Sequence, residues 1–164
     1  MRVLGIDPGL NLTGYGVIDN SDDQVRLVEA GVVRTDVSAP MAARLNEIAQ
    51  GIQAIMEQFK PDVVAVEDLY SHYAHPKTAI IMGHARGIVF LKAAEAGVEV
   101  HQYAATRIKK SLTGNGRASK QQVQLMIKST FDLSAIPEPP DASDALATAL
   151  CHCRTVRNGE VVVS

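Results

Sequence analysis

Three strand-like runs joined by very short links fill the first 34 residues, and they constrain the fold more than any other feature. The runs span residues 2–7, 14–18 and 25–34, and turn-forming residues separate them. Parallel strands need a connection of a dozen or more residues, whereas antiparallel strands need only a tight turn. The chain is therefore predicted to open with an antiparallel meander.

The rest of the chain alternates helical and strand patterns. Helices are predicted over residues 40–59, 77–96, 107–112, 119–131 and 141–156, and strands over residues 63–66 and 98–103. This order predicts an α/β fold, in which three antiparallel strands and then parallel strands form a mixed five-stranded sheet flanked by helices. We expect one domain over residues 1–157, followed by a C-terminal tail at residues 158–164.

Four acidic residues lie where these elements begin or end. Asp7 closes the first apolar run, and Glu67 follows the buried run at residues 63–66. Asp141 and Asp144 share one face near the start of the last helix. If the first and fourth strands pair and the helix starts over the same sheet edge, all four acids surround one pocket. They are therefore our predicted catalytic and metal-binding residues.

Clustered carboxylates are typical of metal-dependent phosphodiester hydrolysis. Two divalent ions about 3.5–4 Å apart activate a water and neutralise the leaving oxygen. Mg²⁺ prefers carboxylate and water oxygens as ligands. Carboxylates held close together repel one another, so their coexistence itself indicates cations. We predict Mg²⁺ as the cofactor, with Mn²⁺ as a substitute and two ions per site, and Asp7 as the bridging ligand.

Each acid also has a structural interpretation. Asp141 follows two prolines at a helix start and is a good N-cap. Asp144 lies in the first turn of the same helix in this interpretation, where it favours the helix dipole. Glu67 is an ordinary strand-end acid in this interpretation, and the Asp-Pro-Gly sequence at Asp7 is a good turn. The residues alone leave these alternatives open.

A basic segment contrasts with the net charge of −2. Residues 100–131 contain no Asp or Glu. Their basic residues are Arg107, Lys109, Lys110, Arg117, Lys120 and Lys128. Such a block produces a local positive surface suited to nucleic acid, and a solvated basic face is the alternative. Tyr70, just past Glu67, is placed to wedge against an unstacked base, or else is an ordinary surface tyrosine.

The sequence does not favour a membrane protein, a secreted protein or a zinc site. No apolar run approaches the roughly 20 residues of a membrane span, and no secretory leader is recognised. Cys151 and Cys153 are two positions apart on a predicted helix, so we expect reduced thiols and a cytoplasmic location. The histidines at positions 72, 75 and 84 lack the ligand spacing of a zinc site.

Five motifs follow one another along the chain. They are Leu4-Gly5-Ile6-Asp7-Pro8-Gly9, Thr13-Gly14-Tyr15-Gly16-Val17, Val66-Glu67, Gly83-His84-Ala85-Arg86-Gly87 and Asp141-Ala142-Ser143-Asp144-Ala145-Leu146-Ala147. In this order and at these distances they resemble the motifs of the RuvC family of Holliday-junction resolvases. The resemblance covers about residues 1–156. It implies a ribonuclease H-like fold and a homodimer that nicks four-way DNA junctions symmetrically, with Mg²⁺ or Mn²⁺, in recombination and repair. It also implies a partnership with a junction branch-migration helicase complex.

The resemblance also implies roles for individual residues. The residues that match the four catalytic acids of the family are Asp7, Glu67, Asp141 and Asp144. Tyr70 matches an aromatic residue that contacts bases near the crossover, and Lys109 and Lys120 match basic residues that hold the junction backbone. Lys110 and Arg117, from the same basic segment, complete our predicted DNA contacts. The second helix matches the helix through which the family dimerises.

Two departures from the family and two alternative functions remain. The loop at residues 71–78 is longer than usual, and Arg117 adds a positive charge. Asp7-Pro8-Gly9 followed by a hairpin also resembles the first phosphate loop of actin-like ATPases, but the chain is too short for their two domains. A non-catalytic junction binder would not need an intact set of four acids.

Overall fold

The structure is a computed structural model that describes residues 1–21, 24–68 and 76–159. The strands are β1 (Arg2–Asp7), β2 (Leu12–Asn20), β3 (Val25–Arg34), β4 (Val63–Glu67) and β5 (Glu99–Tyr103). The helices are α1 (Met41–Phe59), α2 (Pro76–Glu95), α3 (Ala105–Thr113), α4 (Lys120–Thr130) and α5 (Pro140–Arg157). Their order is the predicted one, with small shifts at the ends of the elements.

The strands form one mixed sheet in the order β3-β2-β1-β4-β5. The pairs β1–β2 and β2–β3 are antiparallel, whereas β1–β4 and β4–β5 are parallel. The short turns allow only the antiparallel pairs, and α1 and α2 provide the long connections that parallel pairing needs. The predicted α/β fold with its mixed five-stranded sheet is confirmed.

Helices cover both faces of the sheet. On one face, α5 packs on β1 and β2, and α3 and α4 join it in a core that includes Leu146 and Ile127. On the other face, α1 and α2 pack Ile48 and Val89 against the alternate residues of β1 and β4. A strand buried on both faces is apolar along its length. The fully buried run of each strand stops before its last residue, where β1 and β4 carry their partly buried acids.

The start of α5 differs from the capping interpretation of its acids. The N-cap is Pro139, whose side chain makes no capping bond, and Asp141 lies inside the first turn. Asp144 lies beyond that turn, so its interpretation as a first-turn acid is wrong. The interpretation of Asp141 as an N-cap is therefore wrong, because an N-cap residue precedes the first helical position. Capping does not account for either carboxylate.

Other features agree with the sequence or lie beyond the described residues. No helix in the described part of the chain is long and apolar enough to cross a membrane. Cys151 and Cys153 are buried free thiols. α5 ends at Arg157, whereas residues 160–164 lie outside the described ranges. The division into a domain and a tail stays a prediction.

Candidate active site

Strand pairing brings Asp7 and Glu67 to the same edge of the sheet. In the parallel register of β1 and β4, Ile6 pairs with Val66, so the next residue of each strand emerges beside the other. The carboxyl ends of parallel strands are the usual place for a ligand site in such sheets. Both acids are partly buried there.

Helix α5 reaches this edge because Gly14 has no side chain. Gly14 pairs with Asp7 across β1 and β2. A Cβ on Gly14 would lie 2.1 Å from the carbonyl oxygen of Asp141 and 3.1 Å from the Asp141 Cβ. The helix backbone therefore rests directly on the strand. This contact brings the beginning of α5, with Asp141 and Asp144, to the end of β1.

Asp7 lies at the centre of the resulting negative charge. Burial, followed by the charges of Asp144, Glu67 and Asp141, raises the pKa of Asp7 to about 7, and the positive charge of Lys120 opposes the rise. Burial and then the Asp144 charge also raise the pKa of Glu67. Both effects disfavour the ionised form of a carboxyl group. The charges of the three other acids therefore act on Asp7, and the Asp144 charge also acts on Glu67.

Two lysines bring positive charge to this site. The Lys120 Nζ lies 2.6 Å from the Asp144 Oδ2. The charges of Lys109 and Lys120 also oppose the rise in the pKa of Glu67. Together with Glu67 and Asp144, the two lysines line a cavity of about 190 Å³. Acids that suit a cation and ammonium groups that suit a phosphate thus share one cavity.

The four carboxylates are suitable ligands for divalent cations, although in this structure they do not converge on a common metal position. Carboxylate oxygens are the ligands that Mg²⁺ and Mn²⁺ prefer. Among the described residues, no group of three or more His, Cys, Asp or Glu side chains is arranged to hold a metal ion. Uncompensated carboxylates repel one another, and the Lys120 ammonium stands beside Asp144 where a cation is needed. The residues that would hold a metal are Asp7, Glu67, Asp141 and Asp144.

The raised pKa of Asp7 predicts how the stability of the metal-free protein depends on pH. The folded protein holds the Asp7 proton up to a pKa of about 7, whereas the ordinary pKa of an aspartate side chain, which applies in the unfolded chain, is 3.8. Unfolding therefore releases a proton between these values, so stability falls as the pH rises from about 4 to about 7. We expect Asp7→Asn to raise the free energy of unfolding by about 2 kcal/mol at about pH 8 and hardly at all at about pH 4, with allowance for partial exposure.

This prediction is checked by urea unfolding of both proteins at the two pH values with a chelator present. Adding Mg²⁺ should reduce the difference at the higher pH, because a bound cation compensates the Asp7 charge in the wild-type protein. An equal difference at both pH values would mean that Asp7 titrates alike in the folded and unfolded chains.

The other predicted DNA contacts do not lie in this cavity. Lys110 lines a different cleft on α3, beside Arg154. Arg117 is exposed between α3 and α4, and its backbone N–H donates to the Asn115 Oδ1 at 2.9 Å. Tyr70 lies outside the described residues. Of the three histidines considered for zinc, only His84 is described, and it is exposed on α2.

Arg86 is a residue of the site that sequence reasoning missed. Its side chain is buried and donates to the carbonyl oxygen of Glu67 and to the Gln102 Oε1. It also lies 3.4 Å from the Asp68 Oδ1. These contacts secure the end of β4 and hence the position of Glu67. A single arginine among the apolar residues of α2 is the signal that identifies it, because a buried charge needs partners.

Comparisons with known proteins confirm the resemblance over nearly the whole chain. Residues 3–152 match the family model described as crossover junction endodeoxyribonuclease RuvC. A crossover junction endodeoxyribonuclease RuvC from Rhodopirellula baltica is 50% identical over 149 residues, which cover 91% of this chain and 84% of the relative. Identity at this level over this length shows common family membership.

Solved structures agree with the sequence comparisons. Thermus thermophilus RuvC matches with a TM-score of 0.90 and 34% identity, covering 99% of this chain and 100% of the other. T. thermophilus RuvC in complex with a Holliday junction substrate matches with a TM-score of 0.90 and 36% identity, covering 97% and 96%. The ribonuclease H-like fold expected from the motifs is confirmed. This chain belongs to the crossover junction endodeoxyribonuclease RuvC family.

Proposed function

We propose that this chain resolves four-way DNA junctions by paired, symmetric nicks in homologous recombination and DNA repair. The observation that carries the proposal is Asp7 at the sheet edge, with its pKa raised by burial and by the charges of three other acids. T. thermophilus RuvC, solved with a Holliday junction substrate, supports the same substrate for this chain. Family membership implies a divalent metal, which we assign as Mg²⁺ with Mn²⁺ as a substitute, two ions per site.

The residues of the chain bind and orient the reacting groups. The metal ligands in this proposal are Asp7, Glu67, Asp141 and Asp144. When bound, divalent cations supply a nucleophilic water and neutralise charge on the leaving oxygen. Lys109 and Lys120, which line the cavity, attract the scissile phosphate and hold it against the acids. Arg86 keeps Glu67 in place through the end of β4.

Basic residues inside the cavity and beyond it hold the DNA, with Lys109 and Lys120 in the cavity and Lys110 and Arg117 outside it. We assign backbone contacts to Lys109, Lys110, Arg117 and Lys120, and a contact to bases near the crossover to Tyr70. Lysine and arginine gain affinity by releasing counterions from the phosphates, whatever the base sequence. The proposed surface therefore recognises the DNA backbone, and the stacking tyrosine recognises unpaired bases.

Removal of either lysine from the cavity should weaken DNA binding. We expect Lys109→Ala and Lys120→Ala each to weaken junction binding by about 5- to 10-fold, and to lower the slope of log K against log salt by about 1. Lys120→Ala should have the larger effect because it also leaves the Asp144 carboxylate uncompensated beside the phosphate. The measurement is a series of Kd values over a range of salt concentrations with a chelator present.

The matched control for these two variants is Lys128→Ala. Lys128 belongs to the same basic segment but lies in the last turn of α4 and outside the lining of the cavity. Its removal should leave the salt slope unchanged. If the slope for Lys109→Ala and Lys120→Ala equals that of the control, neither lysine contacts a phosphate.

Helix α2 offers a surface for a second copy of the chain. Ile80 and Leu91 are 60% and 51% exposed, and they share one helix face with Gly83 and Gly87. A Cβ at either glycine would meet no atom within 4 Å in the described chain. We propose that this face forms a homodimer, because two-fold symmetry turns one active site into two that face opposite strands.

We also propose that the protein acts in the cytoplasm together with a junction branch-migration helicase complex.

A cutting assay with mapped ends tests the proposed function. A synthetic four-way junction is incubated with the protein and Mg²⁺, and the 5′ ends of the products are located on each strand. We expect nicks at equivalent positions on two opposed strands, and no cutting with a chelator. Tight binding without nicks would instead favour the non-catalytic junction binder. ATP hydrolysis in the absence of DNA would favour the actin-like ATPase.

A further inference from the structure

A second basic cleft lies on the side of α3 away from the candidate active site. It has a volume of about 450 Å³. The basic residues that line it are Arg107, Lys110, Arg154 and Arg157. The hydroxyl groups of Ser111 and Thr155 add hydrogen-bonding partners. In the described part of the chain, no carboxylate is among the lining residues.

Hydrogen bonds hold two arginines of the cleft in place, whereas the Lys110 ammonium group is available to bind a ligand. The Arg154 Nη1 donates to the carbonyl oxygens of Ser111 and Leu112, which ties the end of α3 to α5. The Arg157 Nη2 donates to the Ser21 carbonyl oxygen at 2.7 Å. The Lys110 side chain is exposed and makes no hydrogen bond or ion pair with the residues that the structure describes. Hydrogen-bonded guanidinium groups thus face the same space as a lysine ammonium group that bonds to no described residue.

Helix stabilisation alone does not explain this arrangement. Lys110 lies in the last turn of α3, and Arg154 and Arg157 lie in the last turn of α5, where a cation interacts favourably with the helix dipole. The interaction with the helix dipole does not require the cationic side chains at the ends of α3 and α5 to line the same cleft. Cations gathered in this way repel one another, and a polyanion in the cleft offsets that repulsion.

The cleft also lies at a suitable distance from the acids. Arg154 follows Asp144 by ten residues on α5, which is about 15 Å along the helix. A DNA duplex advances about 3.4 Å per base pair, so 15 Å corresponds to about four or five base pairs. Lys109 and Lys110 are successive residues of α3 that line the two cavities. Positive charge therefore continues from the active site to the cleft.

We propose that this second basic cleft binds the sugar-phosphate backbone of one duplex arm of the junction, about four or five base pairs from the scissile phosphate. The proposal rests on the proposed junction-resolving function and adds a separate site for the arm. Arg154 and Arg157, on α5, compensate the negative charge of the phosphates. Lys110, on α3, contacts the backbone from the other side of the cleft. Because phosphates carry no sequence information, the cleft would bind an arm whatever its base sequence.

The test compares two junctions that share a crossover but differ in arm length. One has arms of about 20 base pairs, and the other has arms of about 3 base pairs, held closed by hairpin loops, that end before the cleft. Kd values and salt slopes are measured with a chelator present for the wild-type protein and for the double variant Lys110→Ala/Arg157→Ala. We expect the double variant to bind the long-armed junction about 10-fold more weakly, with a salt slope smaller by about 1 to 2. Both proteins should bind the short-armed junction equally.

Three comparisons keep the interpretation clear. Lys128→Ala, which removes a charge outside the cleft, should not change the dependence on arm length. The single variant Lys110→Ala removes only an exposed side chain, so it should fold and show about half of the change in slope. Equal melting temperatures of the variants and the wild type exclude unfolding as the cause.

The outcomes separate this proposal from the function on which it rests. If the wild-type protein binds and nicks junctions while the double variant keeps the wild-type affinity, slope and dependence on arm length, the cleft does not bind DNA and the proposal is overturned. An equal loss of affinity for the long and short arms also overturns it, because the effect then arises near the crossover. Failure of the wild-type protein to bind any junction would overturn the proposed function as well.

Discussion

Asp7→Asn is expected to lower the rate of junction cutting by at least about 10³-fold while leaving the Kd for the junction nearly unchanged. Asn keeps the size of the side chain but removes the negative charge that a divalent cation needs. The loss corresponds to about 4 kcal/mol of transition-state stabilisation, since each 1.36 kcal/mol changes a rate tenfold. DNA binding should survive because the basic residues, and not the acids, attract the phosphates. Single-turnover cutting rates and Kd values measured on the same junction check both parts.

Asp68→Asn is the matched control for this substitution. Asp68 follows Glu67 directly, but its carboxylate lies 3.4 Å from the Arg86 guanidinium and its side chain is 54% exposed. The same chemical change there should alter cutting by no more than about twofold, because exposed ion pairs contribute little. Cutting by Asp7→Asn at the wild-type rate would remove Asp7 from the chemistry.

Gly14→Ala is expected to reduce cutting by about 10²-fold, although Gly14 carries no functional group. The new Cβ would lie 2.1 Å from the Asp141 carbonyl oxygen, so the beginning of α5 must move away from β1. A displacement of about 1 Å in a catalytic constellation is enough for an effect of this size. The overpacking should also destabilise the protein by about 1–3 kcal/mol. Cutting rates well below the melting temperature, together with urea unfolding, separate the two effects.

Gly31→Ala provides the control for crowding within the same sheet. Its Cβ would lie 2.9 Å from the Tyr15 hydroxyl oxygen and 3.1 Å from the Tyr15 ring. A side chain can turn aside, whereas the α5 backbone at Gly14 cannot move without carrying Asp141. We expect a comparable or smaller loss of stability and cutting within about threefold of wild type. If Gly14→Ala cuts as fast as Gly31→Ala, the glycine contact does not position the acids.

The sequence predicts the fold well because each element has its own local signal. Short turns restrict the first three strands to antiparallel pairing, and the uninterrupted apolar run at β4 indicates burial on both faces. The start of α5 is harder to predict. Pro139 and Pro140 restrict the backbone enough to begin the helix without a side-chain cap, so the expectation that Asp141 is the cap fails.

The site is predicted only as far as strand ends and helix spacing determine it. The pairing of β1 with β4 makes Asp7 and Glu67 neighbours, and both positions follow from the strand pattern. The approach of α5 depends on Gly14, whose lack of a side chain has meaning only once the helix is placed against it. Lys109 and Lys110 are adjacent in sequence, yet they line different cavities. Only the packing of α3 between these cavities determines which lysine faces the acids.

The central claim is that the four carboxylates at the ends of β1 and β4 and the beginning of α5 hold divalent cations. Anomalous diffraction from crystals of the protein soaked in Mn²⁺ tests it most directly, because manganese scatters anomalously and binds the same oxygen ligands as Mg²⁺. We predict a manganese peak within about 2.0–2.4 Å of an Asp7 carboxylate oxygen and of at least one other acid, with the Lys120 ammonium displaced from Asp144. A manganese peak elsewhere, or none at Asp7 while Lys120 remains paired with Asp144, would contradict the claim.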